Sequence, residues 1–277
     1  MTTAFVLGGG GHLGAHEVGM LRALLERAIT PDLVIGTSIG AINGAFLAAD
    51  PSMATVSRLA AVWASIQDDD VLGSSLFGRL QTLARTRTHT HSNGPLRRLL
   101  TEWLPVRTFE ELAVPFQCTA ASIERAAPTY FSSGELVPAI LASSAVPGLL
   151  PPVRIGNEHF LDGGIVDSIP LGRALELAAS TIYVLQVGRV EQPLTPPTRP
   201  WEVALVAFEI ARRHRFAADL ESVPDGVAVH VLPTGAQLKY NDPSQLRDRG
   251  FARTSSRIER SYAAATDYLL AHNLGAG

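Results

Sequence analysis

Residues 33–45 read Leu-Val-Ile-Gly-Thr-Ser-Ile-Gly-Ala-Ile-Asn-Gly-Ala, a short buried-strand signal, a G-x-S-x-G turn and a small-residue helix. This order puts Ser38 on a tight strand-to-helix corner, where a nucleophilic serine is held up for attack. Gly36 and Gly40 leave room for the corner, since side chains there would meet the neighbouring strand and helix. Ser38 then lies at the first turn of a helix, where unpaired N–H groups and the helix dipole favour a developing alkoxide.

The remaining composition fits a folded enzyme-sized chain. With 277 residues, 46% hydrophobic and 18% charged, the chain can bury a sizeable core. A formal net charge of −3 gives no reason to expect a nucleic-acid partner. The single cysteine, Cys118, excludes an intramolecular disulfide framework and suits a reducing compartment. The opening Met-Thr-Thr-Ala-Phe-Val-Leu-Gly lacks a basic start and reads as a first strand, not a secretion signal. No stretch reaches the roughly 18 uninterrupted apolar residues of a bilayer span. The expected location is cytoplasmic, with at most a transient contact at a membrane surface.

Strand and helix signals alternate along the chain. Ala4–Leu7, Leu33–Gly36, Pro115–Ser122, Thr129–Ser132, His159–Leu161, Thr181–Val187 and Val227–Leu232 read as strands. Ala15–Ala28, Ile39–Ala49, Pro51–Ile66, Pro95–Leu104, Glu135–Ser143, Leu171–Ala179, Trp201–Leu220 and Ser256–His272 read as helices. Val71–His91 reads as loop or weak helix. Arg189–Pro200, with its four prolines, is the linker candidate. It divides a first domain over residues 4–190 from an extension of long helix, strand and helix over residues 191–277, packed on the same domain. Alternating strands and helices predict an α/β fold with a mostly parallel sheet covered on both faces.

Gly8–Gly14 reads Gly-Gly-Gly-Gly-His-Leu-Gly directly after the first strand. It contains G-x-G-x-x-G as Gly9, Gly11 and Gly14, the dinucleotide-binding spacing. That reading requires an acidic residue at the end of the second strand to hold a ribose. The second strand ends in Gly36-Thr37-Ser38, and Asp32 lies at its other end. The alternative is an oxyanion hole, in which consecutive glycines turn backbone N–H groups toward a developing negative charge.

A serine also needs a base. Asp162 closes a short apolar strand in Phe-Leu-Asp-Gly-Gly-Ile-Val-Asp-Ser-Ile-Pro-Leu. Taken alone this is an ordinary Asp-Gly turn. Taken with the glycine loop, Gly-Thr-Ser-Ile-Gly and Ala-Ser-Ser-Ala-Val-Pro-Gly at 142–148, it resembles the patatin-like phospholipase family over roughly residues 4–190. The resemblance implies a three-layer α/β/α sandwich and a Ser–Asp dyad without histidine or cofactor. Carried over by position, Ser38 is the nucleophile and Asp162 its base. Gly9, Gly10 and Gly11 supply oxyanion N–H groups, and residues 142–148 wall the acyl site. Gly14, Gly36, Gly40, Gly163 and Gly164 complete the motifs. The implied substrates are acyl esters of lipids, cleaved through an acyl-enzyme. One departure stands out: Leu13 occupies the place where the family's loop usually carries Arg or Lys.

Two rivals remain open on sequence. An α/β-hydrolase-type triad could use Asp162 with His230, although His230 alternates with apolar neighbours as a strand-face residue does. A non-enzymatic lipid-binding regulator could keep the fold, although both Ser38 and Asp162 are present. No histidine pair has helical metal-binding spacing with an acidic partner, so no metal is expected. Arg212, Arg213 and Arg215 with His214 read as a solvated helix end whose charge complements the dipole. The other reading of that patch is contact with lipid phosphate at an anionic membrane.

Overall fold

The computed structural model describes residues 1–68, 90–187, 193–198, 200–235 and 251–275. The expected Val71–His91 loop therefore lies almost wholly outside the described residues, as does part of the expected linker. Within them the chain forms one mixed, eight-stranded sheet flanked by helices.

The sheet is built outward from β1 (Thr3–Leu7). It pairs in parallel with β2 (Leu33–Thr37) on one edge and β7 (Thr181–Leu185) on the other. β8 (Ala228–Val231) extends the parallel half beyond β7. On the other side β3 (Phe116–Ser122) runs parallel to β2 and forms a hairpin with β4 (Ala127–Phe131). β5 (Val153–Ile155) and β6 (Glu158–Asp162) form a second hairpin. Its β6 pairs antiparallel with the last three residues of β3.

The two-residue period of the strands divides the core between two faces. Phe5 and Leu7 of β1 face one side. There they join α1 (Ala15–Glu26), α2 (Ile39–Ala49), α3 (Met53–Asp68), α4 (Gly94–Trp103) and α5 (Leu136–Ser143). Ala4 and Val6 face the opposite side with Ile35, Ile182 and Val184. That face is covered by Ile169, by α7 (Leu171–Glu176) and by Phe216 of α8 (Pro200–Glu221). Helix, sheet and helix make three layers, as expected.

The last helix, α9 (Phe251–Ala271), lies along α1. Gly19 allows the two axes to approach, because a Cβ there would stand 2.1 Å from the Ile258 carbonyl oxygen. Arg22 lies 4.0 Å over the Tyr262 ring, and the Tyr262 hydroxyl donates to Glu26 at 2.6 Å. α9 begins five residues earlier than its periodicity suggests. α1 and α7 stop two and three residues short of the expected ends. Both leave through an alanine with positive φ, Ala28 at 56° and Ala178 at 59°, which takes the left-handed exit usually given to glycine.

Candidate active site

β2 is buried along its whole length and ends at a sharp corner. Ser38 has φ 56° and ψ −118°, a strained conformation for a residue with a side chain, and α2 starts at the next residue. Two glycines make the corner possible. A Cβ on Gly36 would lie 2.3 Å from the Gly40 carbonyl oxygen, and one on Gly40 would lie 2.3 Å from that of Leu7. The Thr37 hydroxyl donates to the Asp167 carbonyl at 2.8 Å and fixes the approach to the corner.

Asp162 is the last residue of β6. The Ser38 hydroxyl donates to its Oδ2 at 2.6 Å, and both residues are buried. The other carboxylate oxygen, Oδ1, accepts the Gly164 N–H at 2.7 Å. Burial pushes the Asp162 carboxyl up to about 6, against the hydrogen bonds from Ser38 and Gly164 that favour its charged form. Gly163 has no room for a side chain, because a Cβ would meet the Thr119 carbonyl oxygen at 2.1 Å. Gly164 begins α6 (Gly164–Asp167), a single turn with the Phe208 ring against it.

Residues 142–145 do more than wall a pocket. The Ser143 hydroxyl accepts the Ser38 N–H at 2.9 Å, and the Ser144 hydroxyl donates to the Ser38 carbonyl at 3.3 Å. The Ser143 carbonyl takes the Gly163 N–H at 3.2 Å, and that of Ala145 takes the Asp162 N–H at 3.0 Å. One short segment thus braces both sides of the Ser–Asp pair. The only sequence signal for this was the Ser-Ser dipeptide inside the family motif.

The glycine loop runs beside Ser38, with the Cβ position of Gly9 3.5 Å from Ser38 Cβ. One expectation needs correction here. The Gly9 N–H already donates to the Ser168 carbonyl at 2.8 Å, so it is committed to the loop's own geometry and cannot face a substrate. Among the described residues, the Gly10 and Gly11 N–H groups have no backbone acceptor. Gly11 has φ 55°. Gly14 closes the loop against α2, its carbonyl accepting Asn43 Nδ2 at 3.1 Å, and Leu13 is half-buried.

His230 is far from forming a triad. It sits in β8, its ring stacks on Tyr183 with centroids 5.1 Å apart, and its Nδ1 lies 3.5 Å from the Tyr268 hydroxyl. The basic patch also differs from the sequence reading. α8 continues to Glu221, and Arg212 is buried in a network instead of solvated. Arg213 pairs with Glu209 at 2.9 Å, while the exposed Arg215 faces Asp167 and Asp219. Among the described residues no cluster of three His, Cys, Asp or Glu could hold a metal ion. No helix among them is long and apolar enough to cross a membrane.

The chain is similar to known proteins. Over 190 residues the chain is 30% identical to lysophospholipase nte1 of Aspergillus terreus, a match covering 69% of this chain and 12% of that protein. Over 189 residues it is 32% identical to the patatin-like phospholipase domain-containing protein ZK370.4 of Caenorhabditis elegans, covering 68% and 14%. The chain thus spans only a small part of the length of these relatives. Among solved structures, VipD from Legionella pneumophila aligns with a TM-score of 0.49 and 16% identity, over 98% of this chain and 67% of that one. The family described as patatin-like phospholipase matches residues 5–175, a span that contains the glycine loop, the Ser38 corner and the Asp-Gly-Gly turn. The chain belongs to the patatin-like phospholipase family.

Proposed function

We propose that this chain is a serine acyl hydrolase acting on acyl esters of lipids through Ser38 and Asp162. The observation that carries the reading is the 2.6 Å hydrogen bond between the Ser38 hydroxyl and the Asp162 carboxylate, buried together at the strained corner. Ser38 Oγ attacks the ester carbonyl carbon while its proton passes to Asp162 Oδ2. The carbonyl oxygen becomes an oxyanion and is stabilised by the Gly10 and Gly11 N–H groups, each donor contributing about 3 kcal/mol. Collapse of the tetrahedral intermediate breaks the ester C–O bond, and the leaving alcohol takes the proton from Asp162. Water then gives a proton to Asp162 and attacks the acyl-enzyme. The fatty acid leaves and Ser38 recovers its hydrogen.

A carboxyl near 6 suits this task, being charged at neutral pH yet more basic than an exposed aspartate. Exposed apolar side chains near the pair suit an apolar substrate. Val146, Ile165 and Phe208 are large, exposed and adjacent in sequence or space to the segments that hold Asp162. The names of the relatives, lysophospholipase and patatin-like phospholipase, point to the same substrate class. Leu13 offers no charge to a head-group phosphate, so the reading commits to ester cleavage and leaves the head group open.

A fluorophosphonate probe tests the assignment, since it captures a serine activated for acyl transfer. Ser38 is expected to carry the adduct, with p-nitrophenyl ester turnover lost in Ser38→Ala. Labelling or turnover that survives Ser38→Ala overturns the reading.

A further inference from the structure

Arg212 is the most deeply buried cation of α8, and its partners lead to the glycine loop. Its Nε donates to the Ser168 hydroxyl at 3.1 Å, and one terminal nitrogen reaches Gln186 Oε1 at 3.4 Å. The other terminal nitrogen holds Glu209 at 3.1 Å. Ser168 and Gln186 are the two walls of the loop's first turn. The Cβ position of Gly8 lies 3.5 Å from the Ser168 carbonyl oxygen and 3.6 Å from Gln186 Cα. That of Gly9 lies 3.2 Å from the Ser168 hydroxyl, and the Gly9 N–H donates to the Ser168 carbonyl. A planar guanidinium on α8 therefore grips both sides of the turn that precedes Gly10 and Gly11.

We infer that Arg212 is a positioning residue for acyl transfer, holding Ser168 and Gln186 so that the Gly10 and Gly11 N–H groups face the developing oxyanion. This rests on the oxyanion role given to those two amides above. The loop itself contains no Lys, Arg, Asp or Glu, and the cation behind it comes from a helix far along the chain. Arginine suits the task because its rigid fork fixes two acceptors at once. Backbone donors in an oxyanion hole must be held within a fraction of an ångström. Loosening them lowers kcat, because the contact is made in the transition state and not with bound substrate.

Arg212→Met and Ser168→Ala separate this role from simple stability. Ser168→Ala removes the acceptor for Arg212 and keeps the backbone carbonyl that binds Gly9. With p-nitrophenyl butyrate, each variant is expected to lower kcat about tenfold or more while KM stays within about twofold. The double variant is expected to be no slower than Arg212→Met by more than about twofold, since both changes cut one linkage. A folded Ser168→Ala or Arg212→Met protein with kcat within about twofold of wild type overturns the inference, as do losses that multiply in the double variant. If Arg212→Met does not fold, Ser168→Ala at unchanged Tm decides alone. Ser38→Ala is assayed alongside. An active, Ser38-dependent wild type with an unaffected Ser168→Ala overturns this inference only, whereas Ser38-independent turnover overturns the reading beneath it.

Discussion

Ser38 and Asp162, 124 residues apart in the chain, meet because the strands that carry them end head to head on one edge of β3. β2 runs parallel to β3 and its last residue, Thr37, lies opposite Thr119. β6 runs antiparallel to β3 and its last residue, Asp162, lies opposite Ala120. β4 occupies the other edge across Cys118–Ser122. Consecutive residues of one strand thus set the separation of the pair. Backbone ladders define that geometry more tightly than loops could.

The raised carboxyl of Asp162 has opposite consequences for activity and stability. As the proposed base it must be ionised, so kcat/KM is expected to rise with pH through a midpoint near about 6. The folded chain binds this proton more tightly than the unfolded one, whose carboxyl titrates near 3.8. Stability from this group is therefore full below about pH 4 and is lost as pH rises through about 6. Asp162→Asn is expected to lower kcat on the order of a hundredfold. It should also raise Tm by a few degrees at about pH 8, with the gap closing toward about pH 4. Thermal melts across pH check this. A gap of constant size would mean that the gain does not come from the carboxyl's charge.

Ser143→Ala leaves the Ser38 N–H buried without its acceptor. The expected cost is about 1–3 kcal/mol of stability, read from denaturant melts. A fall in kcat of about tenfold is expected with it, because the corner that aims Ser38 loses a fixed point. Unchanged kcat in the folded variant would show that the strained backbone holds Ser38 unaided.

His230→Asn is expected to keep kcat and kcat/KM within about twofold of wild type, because the ring packs between Tyr183 and Tyr268 away from the Ser–Asp pair. Loss of turnover in this variant, with Asp162→Asn active, would favour the triad.

Gly163→Ala drives a methyl group onto the Thr119 carbonyl oxygen and should cost about 3 kcal/mol or more. Gly156→Ala, at φ 59° with open space around it, should cost only about 1–2 kcal/mol from backbone strain. Equal losses in urea melts would remove the steric argument for the Asp-Gly-Gly turn.

The parts of this site that were legible in the sequence are those fixed by local chemistry. Gly36, Ser38 and Gly40 announce their corner because only small residues fit it. The β5–β6 hairpin is not legible despite the two-residue turn signal Gly156-Asn157, because the Val153–Ile155 strand before it is only three residues long. Ser143 could not be read as the partner of the Ser38 N–H, since that contact depends on how α5 packs against a distant corner. On sequence, Arg212 reads with Arg213, His214 and Arg215 as surface charge. Its spacing from Glu209 and Phe216 instead puts it on the buried stripe of α8, a helical period that a run of arginines conceals. Gly9 reads as an oxyanion donor because sequence shows an available N–H and not the Ser168 carbonyl that accepts it.

The central position of β1, between β2 and β7, has a consequence for how the chain is made. Synthesis delivers β1, β2 and the Ser38 corner early, while Thr181–Leu185 emerges only after most of the sheet. Until then one edge of β1 has nothing to pair with, and the Gly8 N–H lacks the Leu185 carbonyl it binds at 2.9 Å in the finished fold. The Ser38 corner is therefore synthesised well before the strand that anchors the glycine loop beside it. The same interval leaves an apolar parallel edge of β1 unpaired, the kind of edge on which partly folded chains associate.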